Sequence, residues 1–194
     1  MPSVANSDID IAARALILIG ADPITSFTET STEALVASNI YEDVVQSALC
    51  ASRWRFATNQ AELNRLTDVP TGRFDFAYQL PSDMLMLHAL TVNDNLIEYN
   101  IYGDKAFSNT SETDTVIADY AFRVGEEKFP SYFTISVEFS LATTFAVAIA
   151  RDEQLAALME SKARVAMQQA KTLDSQQQTT RKLVTSRFIS ERRG

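Results

Sequence analysis

Residues able to do acid–base or covalent chemistry are few in this chain and poorly matched. His88 is its one histidine and lies in the apolar run Met84–Leu90. Most imidazole chemistry needs a partner within hydrogen-bond reach, so His88 is expected to be a structural residue with its hydrogen bonds satisfied inside the fold. A metal cage needs several His or Cys ligands, and neither type clusters here. Cys50, the single cysteine, follows Ala48-Leu49 at the end of a helical pattern and reads as a small core hydrophobe. One cysteine makes no internal disulfide. The phosphate-cradling patterns G-x-x-x-x-G-K-[ST] and G-x-G-x-x-G do not occur, and 5 glycines could scarcely line such loops. No catalytic residue, cofactor or metal is expected.

Carboxylates are the remaining chemistry, because a general acid paired with a base or nucleophile hydrolyses glycans. Glu126 with Glu127, Glu29 with Glu33, and Asp8 with Asp10 have the spacing. With 25 acidic residues in 194, however, such pairs arise by chance. They are expected to be exposed surface, and the balance favours binding or structure over catalysis.

Charge separates two parts of the chain. The formal net charge is -8, which disfavours binding of nucleic acid or anionic membrane by the whole surface. The last fourteen residues, RKLVTSRFISERRG, hold five cations and one carboxylate, so they carry +4 and residues 1–180 carry -12. An acidic body trails a basic arm, in which Leu183, Val184, Phe188 and Ile189 interrupt the cations as apolar anchors for a partner surface.

The apolar runs are broken by polar residues before the roughly 20 positions that a membrane crossing needs, so no membrane span is expected. Met1–Asp10 has neither a positive cluster nor an apolar segment, which argues against a secretory or transit leader. The expected place of synthesis is a cytoplasm, where the chain stays until it joins an assembly.

The elements that must position these residues follow from periodicity. A first helix, about 7–19, is capped by Ser7 and stopped by Gly20, with Ile9, Ala12, Ala13, Leu16 and Ile17 at helical spacing. A loop holding Asp22-Pro23 leads to a second helix, about 31–52. Its expected start is a capping box from Thr30 to Glu33, and its stripe is Ala37, Ile40, Tyr41, Val44, Val45 and Ala48. The two helices are expected to pack antiparallel. Arg53-Trp54-Arg55-Phe56-Ala57 then forms an aromatic cap on that pair, with a guanidinium able to stack on the indole.

Residues 59–66 are ambiguous and 68–72 read as a turn. From about 70 to 125 the period changes to two: Phe74, Phe76, Tyr78 and Leu80 share a face, Pro81-Ser82-Asp83 makes a corner, and Asn93-Asp94-Asn95 divides two further strands. With Thr115–Val124 this predicts one small antiparallel sheet of three to four strands, interrupted by the polar loop 108–114. After Phe129-Pro130 the helical period returns and runs to about 173, as one helix or as two joined near Arg151-Asp152. Residues 174–180 read as a linker. The expected architecture is α+β, mainly α: a single domain over 1–180, a helical bundle with an inserted sheet, and the extended arm 181–194.

In order and spacing, several segments resemble the head-to-tail adaptor family of tailed bacteriophages, also called tail tubular protein A in short-tailed phages. They are Ile9-Asp10-Ile11-Ala12-Ala13-Arg14-Ala15-Leu16 with Ile19-Gly20, Arg53-Trp54-Arg55-Phe56-Ala57, Phe76-Ala77-Tyr78-Gln79-Leu80-Pro81-Ser82-Asp83, and Phe129-Pro130 leading into an Ala-rich helix. The likeness spans about residues 7–180, and the arm matches by position and character alone.

The resemblance implies a structural virion protein of the neck: a ring, typically of twelve subunits, between the portal and the tail tube or nozzle, lining the channel through which DNA is ejected. It implies that the C-terminal arm reaches onto the portal, with Arg181, Lys182, Arg187, Phe188, Ile189, Arg192 and Arg193 at that interface. The β-insert would then face the next tail component. Trp54, Phe76 and Tyr78 are expected to hold the fold. The implied location is the virion, after assembly in the host cytoplasm. A carboxylate-dependent cell-wall or polysaccharide hydrolase carried by a tail component is the alternative, and a regulatory DNA binder using the terminal cations is a third reading.

Overall fold

The computed structural model describes residues 7–67 and 72–177. It is an α+β fold with four α-helices and two small antiparallel sheets. Helix α1, Asp8–Leu18, begins at Ser7, whose side chain accepts the Asp10 N–H. It ends as Gly20 turns left-handed at φ 77°. There the Gly20 N–H returns to Ile17 and the Ala21 N–H to Leu16, which satisfies two of the carbonyls a helix end leaves bare. The buried positions are Ile11, Ala12, Ala15 and Leu16, whereas Ile17 is 58% exposed. The apolar stripe is therefore turned away from the expected one.

Helix α2, Thr32–Cys50, starts one residue later than the expected box: Ser31 is the cap and accepts the Ala34 N–H. Thr30 plays no part in it, and Glu33 simply sits in the positive first turn. The expected antiparallel pairing of α1 with α2 is the lesser contact, because both helices pack mainly on α3, Ser131–Phe145. Trp54, fully buried, closes this core. Its indole N–H donates to the Ala48 carbonyl at 2.8 Å, and its ring meets Phe133 edge-on at 5.1 Å. Neither neighbouring arginine stacks on it. Phe56 and Phe133 are the rings packed against the indole, and Arg53 pairs instead with Asp119.

Helix α3 continues through a π-helical turn, Ala146–Ala150, to Arg151, which is left-handed at φ 53°; Asp152 then caps α4, Glu153–Gln176. The joint falls where the sequence offered one. Residues Ser131–Ala150 make a 20-residue helix in which an 18-residue window reaches a mean hydropathy of 1.6, long and apolar enough to cross a membrane by length and composition. That corrects the expectation of broken apolar runs. Within the run the Ser136, Ser140 and Thr143 hydroxyls bond back along their own helix, to Phe133, Ser136 and Phe139, while its one charged residue, Glu138, faces Arg14 of α1. In this fold it is the central helix, covered by α1, α2 and α4.

The β-region is larger than expected and divided in two. It opens with β1, Thr58–Glu62, in the segment whose sequence was ambiguous, and continues with β2 (Phe76–Gln79), β3 (Met84–Val92), β4 (Asn95–Leu96), β5 (Tyr99–Tyr102), β6 (Lys105–Ser108) and β7 (Ile117–Phe122). One sheet has the order β1-β7-β3-β4 and the other β2-β6-β5. The β3–β4 turn has two residues, Asn93 and Asp94, both at positive φ, as a tight hairpin requires. The stretch 96–102, expected as one strand, is therefore shared between the two sheets. Most of the expected turn at 68–72 lies outside the described residues.

Trp54, Phe133 and their neighbours form the helical core, whereas Tyr78, Leu80, Leu90 and Tyr120 form a second core between the sheets. Phe122, at the end of β7, packs against both.

Candidate functional site

The last turns of α4 carry a polar site centred on a buried carboxylate. Asp174 is 4% exposed. Its carboxylate accepts the Arg55 backbone N–H at 3.2 Å and the Tyr132 hydroxyl at 2.9 Å. The Arg55 Nε–H donates in turn to the Asp174 carbonyl at 3.1 Å, and the Gln177 amide donates to the Tyr132 hydroxyl at 3.2 Å. A charged acceptor held by several donors makes a stiff anchor. Burial, and then the Asp174 carboxylate, push the Tyr132 hydroxyl up to about 12.

This overturns the first part of the expected linker at 174–180, since α4 runs to Gln176 and Asp174 belongs to the fold; residues 178–180 lie outside the described residues. A signal was available in the sequence. Ala166, Ala170 and Asp174 recur every four residues and all three are buried, so the polar residue sits on the core-facing stripe. Arg181, Lys182, Arg187, Phe188, Ile189, Arg192 and Arg193, the expected portal-interface residues, lie outside the described residues.

A second polar node lies where α2 meets the turn before α3. Arg123 places Nε and Nη2 on the two carboxylate oxygens of Glu42, at 2.8 and 2.9 Å, and also bonds Glu126. Tyr41 donates to Glu126 at 3.2 Å. Burial raises the Tyr41 hydroxyl well above its ordinary range, and the Glu126 charge raises it further. Glu126 is thus engaged in holding α2 to the chain before α3, and Glu127 is exposed. Of the other carboxylate pairs, Glu29 accepts from Thr25 and Ser26 in the α1–α2 loop, while Asp8 and Asp10 occupy the first turn of α1.

His88 is not satisfied as expected, for its Nε2 is buried without a hydrogen-bond partner. The physical reason is a bulge. Leu87 faces Tyr120 and Ala89 faces Asp119, so His88 is the additional residue on β3 and its ring is turned out of the regular ladder. Burial lowers its proton affinity, the Arg53 charge lowers it further, and Asp119 opposes both. Asp119 is already occupied by Arg53 and Gln60, each at 2.6 Å. Cys50 is only partly buried, and burial raises its thiol, opposite to what a nucleophile needs. Among the described residues no three His, Cys, Asp or Glu side chains come together as metal ligands.

Strand β5 is an edge of its sheet, with Ile101 and Tyr102 exposed. Phe74, Phe107 and Tyr102 form a row of touching rings beside it. Nothing in residues 99–102, YNIY, is a lysine or a proline of the kind that blunts an edge. Sequence reasoning missed this surface because β6, which holds β5 in place, is only four residues of weak alternation. No family model and no curated protein matches the chain in sequence.

Proposed function

We propose that the chain is a structural virion protein, a head-to-tail adaptor forming a ring between the portal and the tail tube or nozzle of a tailed bacteriophage. The observation that carries this reading is the anchored end of α4. Asp174 ties the end of α4 to an acidic body, and seven positions further along the sequence a basic segment with four apolar residues begins. A firm base with a long cationic extension suits docking on a separate protein, because the anchor loses no further freedom when the extension binds.

In this reading, twelve subunits surround the channel, and Arg181, Lys182, Arg187, Phe188, Ile189, Arg192 and Arg193 contact the portal. The exposed edge β5 and its aromatic row present a surface for the next tail component. The acidic bodies, Glu153 and Glu160 on α4 among them, repel double-stranded DNA, so that the genome slides during ejection without sticking. The protein takes no cofactor, performs no catalysis, does not enter a membrane, and joins the virion from the host cytoplasm.

The test is mass determination in solution of the full chain, alone and with the portal protein from the same source, beside a version ending at Thr180. A ring-sized complex for the full chain and none for the shortened one supports the adaptor. Failure of both to bind the portal removes the reading, and a turbidity or reducing-sugar assay on Glu-to-Gln variants then tests the hydrolase.

A further inference from the structure

Helix α4 is packed on one side only. Ala156, Met159, Ala166 and Ala170 face α3, while Leu158 and Val165, seven residues apart and so on one face, are 51% and 53% exposed. Lys162, Arg164 and Lys171 are exposed beside them. From Leu158 to Lys171 the exposed charges are Glu160 against Lys162, Arg164 and Lys171, and Asp174 beyond them is buried and bonded, so the apolar stripe is edged by a net positive charge.

The opposite character is found on α1 and α2. Residues 8–50 hold seven carboxylates and one arginine. Their large exposed apolar side chains are Ile17 and Leu18 at the end of α1 and Leu35 in the first turn of α2, with Ile17 at 58% and Leu35 at 63%. The two surfaces lie on different sides of the molecule. Arg14 of α1 reaches Glu138 of α3, whereas α4 meets α3 along Tyr132 and Phe139, through Asp174 and Lys162. Those contact lines are about 100° to 120° apart around α3 at 3.6 residues per turn.

We propose that the stripe of Leu158 and Val165 docks on the α1–α2 face of a second copy, in a head-to-tail contact. Opposite charge around two apolar patches gives such a contact its register and excludes like faces. Two different patches on one chain make a heterologous interface, which closes into a ring when the rotation allows. This deepens the adaptor reading by naming the two faces, and rests on that reading only for ring closure.

Size sets the strength. Twenty-four residues make a helix about 36 Å long. A face about 10 to 12 Å wide then offers roughly 400 Å², about half of what each partner contributes to a stable interface. One contact is weak, and a closed ring on a template gains from many at once.

The experiment is disulfide trapping with full chains carrying Cys50→Ser. Chains with Val165→Cys are mixed at high concentration with chains carrying Leu35→Cys or Ile17→Cys and oxidised. Thr28→Cys, in the exposed α1–α2 loop, is the control. The head-to-tail contact gives mixed Val165–Leu35 or Val165–Ile17 dimers about tenfold above the control pair, and added salt lowers the yield. Trapping of Val165 with Val165 alone, or yields no higher than the control, overturns it. A mixed dimer from a chain that does not bind portal keeps this contact and removes the adaptor. Portal binding without a mixed dimer does the reverse.

Discussion

The Tyr132 hydroxyl donates to Asp174 at 2.9 Å, joining the first turn of α3 to the last turn of α4. Because Asp174 also serves the Arg55 N–H, its loss leaves two part-buried donors without this acceptor. Asp174→Ala is expected to cost about 2 to 4 kcal/mol in urea denaturation, and Asp174→Asn about half as much, since one acceptor oxygen remains. Hydrogen exchange should show the last turn of α4 opening first in both variants.

The same pair fixes an alkaline signature. A hydroxyl whose proton is held more tightly in the folded chain contributes stability below its unfolded value, near 10, and that contribution is lost as pH rises through the folded value of about 12. Stability of the natural chain should fall across this window. Tyr132→Phe should be less stable at neutral pH and show a shallower fall above pH 10, as read from denaturation midpoints at a series of alkaline pH values.

Trp54 makes the sharpest test of the core. Trp54→Ala removes its contacts with Phe56 and Phe133 together with the bond to Ala48, and should cost about 3 to 5 kcal/mol. Trp54→Phe keeps aromatic volume but leaves the Ala48 carbonyl unpaired, and should cost about 1 to 3 kcal/mol. The two variants separate packing from hydrogen bonding in thermal denaturation.

What could be read in the sequence was whatever is local. Ser7, Gly20 and the Arg151-Asp152 joint announce themselves because caps and left-handed stops depend on neighbouring residues. The Tyr78 and Leu80 face was legible from alternation. Pairing was not: β5 and β6 are four residues each, and whether 96–102 serves one sheet or two depends on partners tens of residues away. The burial of Asp174 was legible from its place four residues after Ala170, but its bonding was hidden for the same reason, since its donors come from Arg55 and Tyr132. The unpartnered His88 follows from a bulge that only strand register reveals.

That histidine gives an acid-side prediction. A folded proton affinity below the ordinary value means that the unfolded chain takes the proton first, so stability falls as pH drops below the unfolded value, 6.5, toward the folded one. His88→Gln, which does not titrate, should show a smaller loss than the natural chain between about pH 7.5 and 5.5. Equal losses in urea midpoints would mean that His88 keeps the same affinity folded and unfolded.

The joint before α4 decides where the helix points. Arg151 holds φ 53°, a region that disfavours any residue with a Cβ, and its N–H returns to the Ala146 carbonyl to close the π turn. Asp152 then accepts from Gln154 and Leu155 at 2.9 and 3.0 Å and starts the next helix. Arg151→Gly removes the backbone strain and should raise stability by about 1 kcal/mol. Asp152→Ala removes the cap and should lower it by about the same amount. Arg151→Pro is the decisive variant, because proline is locked near φ -65° and has no N–H for Ala146. It should detach α4 from its path over α3, with loss of the Asp174–Tyr132 bond seen as early exchange at both ends of α4. Because the arm sequence is untouched, loss of portal binding in this variant would show that the direction of α4, as well as the charge of the arm, sets docking.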